Sequence, residues 1–262
     1  MAKRFLAVLL SCIMVLTLCP VTLATEEAEV PTAEVTPTQE ETVLPAEETE
    51  APLKEVKPAA ESVPALTAGA TYTGTLGANV TWTLDRETGA LTISGTGAMT
   101  NYSSESSPLR NYRSYIKTAV IESGVTTVGN YVFYGCTNLT RVTIPTGVTR
   151  IENYAFYNCS SLASVSLPDS VTSIGSHAFS SCSSLTSVTI PDSVITIGSY
   201  AFYQCSSLTS IHIPTGVTSI SSWIFYACNK LTRVDITDLA AWCAISFGGD
   251  YANPLFYAKT FT

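Results

Sequence analysis

The chain has 262 residues, 46% of them hydrophobic, and a formal net charge of −8. The charge is local, because residues 25–66 hold eleven Glu and two Lys, whereas residues 67–262 carry nine basic and ten acidic side chains. A nearly neutral folded part lacks the basic surface that nucleic acids require, so this class of partner is excluded.

Residues 1–24 are typical of a secretory signal peptide. Lys3 and Arg4 give a positive start, residues 5–18 are mostly apolar, and Thr22 and Ala24 place small residues at a cleavage site after Ala24. No later run reaches the roughly 18 apolar residues that cross a bilayer. The pattern predicts an exported protein, secreted or at the cell surface, with no membrane span.

Residues 25–66 are acidic, rich in Pro and Thr, and lack aromatic residues. Such a segment buries too little apolar surface to offset the entropy of ordering, so we expect a disordered linker. At about 3.1 Å per residue it would reach on the order of 100 Å. It serves either as a spacer that holds the folded part at a distance or as a solubilising leader.

Residues 67–117 are predicted to form a β-rich N-terminal cap. Apolar residues alternate through 80–84 and 90–94, on both sides of a short loop that ends at Gly89. This pattern is typical of a β-hairpin. Its task would be to cover the apolar end of a stacked array.

Five cysteines recur every 23 residues and mark an internal repeat within residues 118–236. A fixed period of about 20 to 50 residues indicates a solenoid. One coil cannot recover the entropy lost on ordering it, so the array must fold together. The cysteines are Cys136, Cys159, Cys182, Cys205 and Cys228.

Each repeat shows two periodicities. Residues 139–144 end in alternation of period two, which predicts a short strand that stops at Pro145. Residues 151–159 place apolar side chains at spacings of four, one and three, which favours a short helix or 3₁₀ turn. A partial first repeat around Ile116, Ala119 and Ile121 brings the expected number of sheet strands to six.

The block Ala-Phe-x-x-Cys-x-x-Leu-x-x-Val/Ile-x-Ile/Leu-Pro begins at Ala155, Ala178 and Ala201. It resembles the leucine-rich repeats of the BspA type, found in bacterial surface proteins, over residues 125–236. The likeness weakens at Val132 and Ile224, where alanine is replaced. The resemblance implies an α/β solenoid: a right-handed superhelix with a concave parallel β-sheet and short helical or 3₁₀ turns on its convex side. It also implies adhesion or protein–protein interaction as the activity.

The cysteine ladder is expected to pack rather than react. Equivalent residues of stacked coils have parallel Cα–Cβ vectors, whereas a disulfide needs them to converge. A linear array cannot close a tetrahedral metal site, and free cysteine behaves as a small hydrophobic residue. His177 and His212 occupy different repeat positions, with no serine and aspartate in a shared register. We therefore expect no metal, no cofactor and no catalysis.

Two surfaces are candidate binding sites. The concave sheet presents small polar residues flanked by Arg141, His212, Arg233 and Asp235. The convex side carries two aromatic rows, and exposed rings are enriched at binding surfaces. These rings serve either recognition or the covering of the turns. The rows are Tyr131, Tyr154, Tyr200 and Trp223, and Tyr134, Tyr157, Tyr203 and Tyr226.

Residues 237–262 are still rich in aromatic residues but no longer follow the repeat consensus. Residues 259–262 look like the start of another strand. We expect a degenerate, truncated repeat, whose open end would self-associate.

The function predicted first is adhesion to a host extracellular or neighbouring-cell protein. One alternative is a glycan-binding or targeting module of a larger secreted enzyme. The other is a passive surface spacer.

Overall fold

A computed structural model describes residues 69, 71–249 and 251–258, and the backbone of 260–261. The predicted signal peptide and the predicted linker lie outside the described residues. All of the described residues belong to one compact unit, Ser62–Thr262, which contains the repeats.

Three strands precede the repeats in a β-meander. They are β1 (Thr71–Thr75), β2 (Val80–Asp85) and β3 (Ala90–Gly95). Neighbours pair antiparallel, so the predicted hairpin of β2 and β3 is confirmed and β1 is an additional strand. β3 then runs parallel to the first repeat strand, with Leu91 opposite Ala119.

Each coil contributes one strand to a first layer of parallel strands, named the first sheet, although its hydrogen bonding divides it into three groups. Ser164 lies opposite Ser187, and Ser210 lies opposite Arg233, so the register is the 23-residue period of the sequence. Six repeat strands are present, as expected. They are β5 (Thr118–Ile121), β7 (Arg141–Thr143), β9 (Ser164–Ser166), β11 (Ser187–Thr189), β13 (Ser210–Ile213) and β15 (Arg233–Ile236).

A second set of parallel strands, which the sequence did not indicate, follows each turn after the first sheet. Ile151, expected in a helical segment, is a strand residue opposite Ile174. Most of these strands have only two residues, too short for alternation to be visible. They are β4 (Gly97–Ala98), β6 (Val125–Val128), β8 (Arg150–Ile151), β10 (Ser173–Ile174), β12 (Thr196–Ile197), β14 (Ser219–Ile220) and β16 (Ser246–Phe247).

The prediction of a short helix or 3₁₀ turn between these two sets of strands is wrong. Residues 152–158 form tight turns in which Tyr154 and Asn158 have φ of 56° and 55°. The N–H of Phe156 donates to the carbonyl of Ala178 in the next coil at 2.8 Å. An N–H that donates to the next coil cannot make the i→i−4 hydrogen bond of a helix. The turn segment therefore pairs between coils instead.

The core is a stack of identical layers. Five phenylalanines with no exposed surface lie parallel, their ring centroids 4.9 to 6.0 Å apart. The five repeat cysteines are also fully buried, which confirms their packing role. Each thiol after the first also donates to the carbonyl of the phenylalanine in the preceding coil, as Cys182 does to Phe156 at 3.2 Å. The phenylalanines are Phe133, Phe156, Phe179, Phe202 and Phe225.

The C-terminal segment forms a longer coil. Helix α1 (Leu239–Cys243) begins at Asp238, whose carboxylate accepts from the N–H groups of Ala240 and Ala241. β16 and β17 (Thr260–Phe261) pair with strands 27 residues earlier, with Arg233 opposite Thr260. The predicted strand start at residues 260–261 is confirmed.

The buried thiols make a testable contribution to stability. Cys182→Ala removes a sulfur atom from a filled layer together with its bond to Phe156. Urea denaturation should show a loss of about 1–2 kcal/mol in the free energy of unfolding. Cys243→Ala, at an exposed thiol, should change it by less than about 0.5 kcal/mol. Equal effects of the two substitutions would contradict the packing role.

Candidate functional site

The outward side chains of the first sheet form a polar strand face. The strand register places Ser166 opposite Thr189 and His212 opposite Asp235. Arg233 contacts Asp235 at 3.0 Å, and His212 contacts Asp192 at 3.2 Å. At the other end Arg141 is exposed on β7. Because most of its charged groups are paired within the face, the strand face is a neutral surface of small hydroxyls.

The first aromatic row is a continuous ring stack in its first four coils. Tyr131 and Tyr154 lie 4.7 Å apart, and His177 stacks between Tyr154 and Tyr200 at 4.6 Å on each side. His177 therefore replaces tyrosine as another flat ring. One coil further on, Trp223 stacks on a ring of the C-terminal coil.

The second aromatic row consists of two stacked pairs. Tyr134 and Tyr157 lie 5.0 Å apart, and Tyr203 and Tyr226 lie 5.6 Å apart. Between the pairs stands Ser180, which is fully buried. Serine at this position is thus compatible with the fold, although it interrupts the row.

The rows also contact each other within four of the five coils. Ring centroids lie 5.4 Å apart for Tyr131 and Tyr134, and 5.0 Å apart for Trp223 and Tyr226. Every ring of both rows is partly exposed. The rings therefore cover the turns and leave part of each ring exposed.

The first row is held in an unusual backbone conformation. Tyr131, Tyr154, His177, Tyr200 and Trp223 all have φ between 55° and 66°. This left-handed region costs an L-residue roughly 1–2 kcal/mol, and only glycine adopts it freely. None of the five repeats uses glycine there.

Two rings of this surface were missed from the sequence. Tyr251 stacks on Trp223 at 4.9 Å, and Phe256 lies 5.3 Å from Tyr251. Their exposed fractions are 38% and 55%. They fall outside the 23-residue register because the last coil is longer, so only the aromatic content of residues 251–257 signalled them.

The chemistry of the core thiols is suppressed by burial. Desolvation of the thiolate raises the pKa of Cys136, Cys182 and Cys228 to about 12. It also raises the pKa of Cys159 and Cys205 well above the ordinary value. A thiol that stays protonated is a poor nucleophile and a poor metal ligand.

Stacked coils with short parallel strands, buried leucine and phenylalanine ladders and tight turns define a leucine-rich repeat solenoid. Residues 111–232 match the family model of the BspA type leucine rich repeat region in six copies. The repeats of this chain are therefore leucine-rich repeats of the BspA type.

Three solved structures are similar to this chain, and the first of them supports the same fold. A leucine-rich repeat protein of T. pallidum is 27% identical, with a TM-score of 0.52 over 71% of this chain and 91% of its own. One of Bacteroides capillosus is 26% identical, with a TM-score of 0.36 over 63% and 99%. A leucine rich cell surface protein of Faecalibacterium prausnitzii is 17% identical, with a TM-score of 0.23 over 74% and 95%. Of these three, the T. pallidum structure alone exceeds a TM-score of 0.5.

A comparison with curated proteins found no match. Within the described part of the chain, no helix has the length and apolar content needed to cross a membrane.

The raised thiol pKa values predict a loss of stability in alkali. In the unfolded chain these thiols ionise near pH 9.0, whereas in the folded chain they stay protonated up to about pH 12. The unfolded state therefore binds fewer protons above pH 9, and the free energy of unfolding falls as pH rises through this window.

Urea titrations at pH 7, 9 and 10.5 would measure this fall. The free energy of unfolding should fall less steeply with pH in Cys182→Ala, because this variant lacks one of the buried thiols. Partly buried tyrosines also ionise in this range, but they contribute equally in both proteins. The same slope in the two proteins would contradict the assignment.

Proposed function

We propose that this chain is a secreted or cell-surface module that binds another protein through its two aromatic rows and performs no catalysis. The module consists of BspA-type repeats, and leucine-rich repeats generally mediate protein–protein interaction. The partner is an extracellular protein of a host or of a neighbouring cell.

The observation that carries this proposal is the backbone of the first aromatic row. Five successive coils hold a ring in the left-handed region, and the first four rings lie at one spacing of 4.6 to 4.7 Å. Strain that recurs at a fixed position is a mark of function. Glycine would turn the chain at lower cost, so the ring itself is what the position retains.

The composition of the rows suits a protein partner. Rigid aromatic side chains lose little conformational entropy on binding and provide both apolar area and a polar edge. Tyr251 and Phe256 extend the surface at the C-terminal end with the most exposed rings. On the strand face, by contrast, small hydroxyls and paired charges offer few anchors.

The predicted leader and linker complete the proposal. Residues 1–24 would direct export, and residues 25–66 would hold the repeats away from the cell. The hairpin of β2 and β3 would cover the first coil. In this proposal a second, polar contact surface lies on the strand face. Its residues are Arg141, His212, Arg233 and Asp235.

The test replaces Tyr157, Tyr203 and Tyr226 by serine, the residue that position 180 already carries in this row. Binding to a panel of purified extracellular-matrix proteins should weaken at least tenfold. Each lost ring contact should cost about 0.5–1.5 kcal/mol of stability, so the variant stays folded by circular dichroism.

The matched control is Ser164→Ala, Ser187→Ala and Thr189→Ala on the strand face, which should bind as the unchanged chain does. Retained binding by the tyrosine variant, or lost binding by the control, would contradict the proposal. An unfolded tyrosine variant would show that the rows only cover the turns. A chain that binds none of the panel would favour a passive spacer.

A further inference from the structure

A shallow polar groove of about 450 Å³ runs along the coils beside the second aromatic row. Four repeats contribute to its lining. Each contributes the residue that directly follows its second-row position, and three of them also contribute the residue two places further on. The polar side chains that line it are Asn158, Ser181, Ser183, Gln204, Ser206 and Asn229.

The backbone explains why these side chains face outward. Asn158, Ser181 and Gln204 have φ of 55°, 60° and 58°. Their N–H groups donate to carbonyls of the next coil at 2.7 to 2.8 Å, so the inter-coil ladder satisfies the main chain. The side chains therefore do not have to hydrogen-bond to the main chain, and they lie on the surface.

Of the six polar side chains of the groove, four already donate a hydrogen bond within the described part of the molecule and two make none there. The hydroxyl of Ser181 donates to Gln204 Oε1 at 3.2 Å, and Gln204 Nε2 donates to the hydroxyl of Tyr203 at 3.4 Å. Within the described residues, the side-chain amides of Asn158 and Asn229 make no hydrogen bond. An amide offers two donors and an acceptor in one plane, so these groups remain available to a ligand.

The chemistry of the lining selects the ligand class. No lining side chain is charged, so the groove has no fixed charge to hold a phosphate, a carboxylate or a cation. Ala227 is the one apolar residue, too small to anchor a peptide side chain. A ligand that fits is itself neutral and rich in hydroxyl groups.

The aromatic row supplies the second half of such a site. Tyr203 and Tyr226 form a stacked pair, and Gln204 joins the groove to the rim of Tyr203. Their stacked faces cover each other, so the ring edges and hydroxyls are the parts left for a ligand. Tyrosine hydroxyls beside planar amides match the hydroxyl groups of a pyranose.

We propose that this groove binds a neutral oligosaccharide that lies along the solenoid axis. Four coils at about 4.8 Å give the groove a length of roughly 14 Å, enough for a short run of sugar units. The site differs from the proposed protein-binding surface in its amides and hydroxyls, although it shares Tyr203 at its rim.

Affinity electrophoresis of the full chain tests this, with mannan, starch, β-glucan or arabinoxylan in the gel and heparin as the charged comparison. At least one neutral polymer should retard the chain, and heparin should not. Gln204→Ala combined with Asn158→Ala should weaken that retardation at least tenfold. Alanine fits this position, because Ala227 occupies it with φ of 61°.

The control is Ser187→Ala with Ser164→Ala on the strand face, which should be retarded as the unchanged chain is. The groove variant keeps every tyrosine and should still bind matrix protein, so failure here is distinguishable from failure of the proposed function. The proposal is overturned if no neutral polymer retards the folded chain, or if the groove variant is retarded equally. Retardation by heparin alone would also overturn it.

Discussion

The backbone ladder between neighbouring turns is the interaction on which the rest of the structure depends. Alternate N–H groups, such as those of Phe156 and Asn158, donate to the next coil instead of to their own. This bonding holds the turns one coil spacing apart, stacks the phenylalanines and brings each thiol to a carbonyl of the preceding coil. Left-handed residues such as Tyr154 and Asn158 lie within this ladder. Stability is therefore shared between neighbouring coils.

The period was the most informative feature of the sequence. It predicted the solenoid, the strand register and the buried cysteines, all of which depend only on which residues recur. It did not predict the turn, because apolar spacings of four, one and three fit a helix as well as a tight turn with two left-handed residues. The same limit hid β8 and its equivalents, which are too short to alternate.

The candidate site was predictable in part for the same reason. Its rows follow the period, so their members could be named, but spacing alone says nothing of ring stacking or exposure. His177 is a planar member of the first row, and Ser180 is a gap in the second. Tyr251 and Phe256 lie beyond the regular period, and the groove amides became candidates only when the turn conformation was known. The residues proposed for recognition are thus ones that the ladder directs outward.

Native-state hydrogen exchange of the ladder amides is the most direct test of this account. The N–H groups of Phe156, Phe179 and Phe202 should exchange with free energies equal to that of global unfolding, because breaking one coil step breaks the array. Exchange of Phe179 at a free energy several kcal/mol lower, with urea unfolding unchanged, would contradict it.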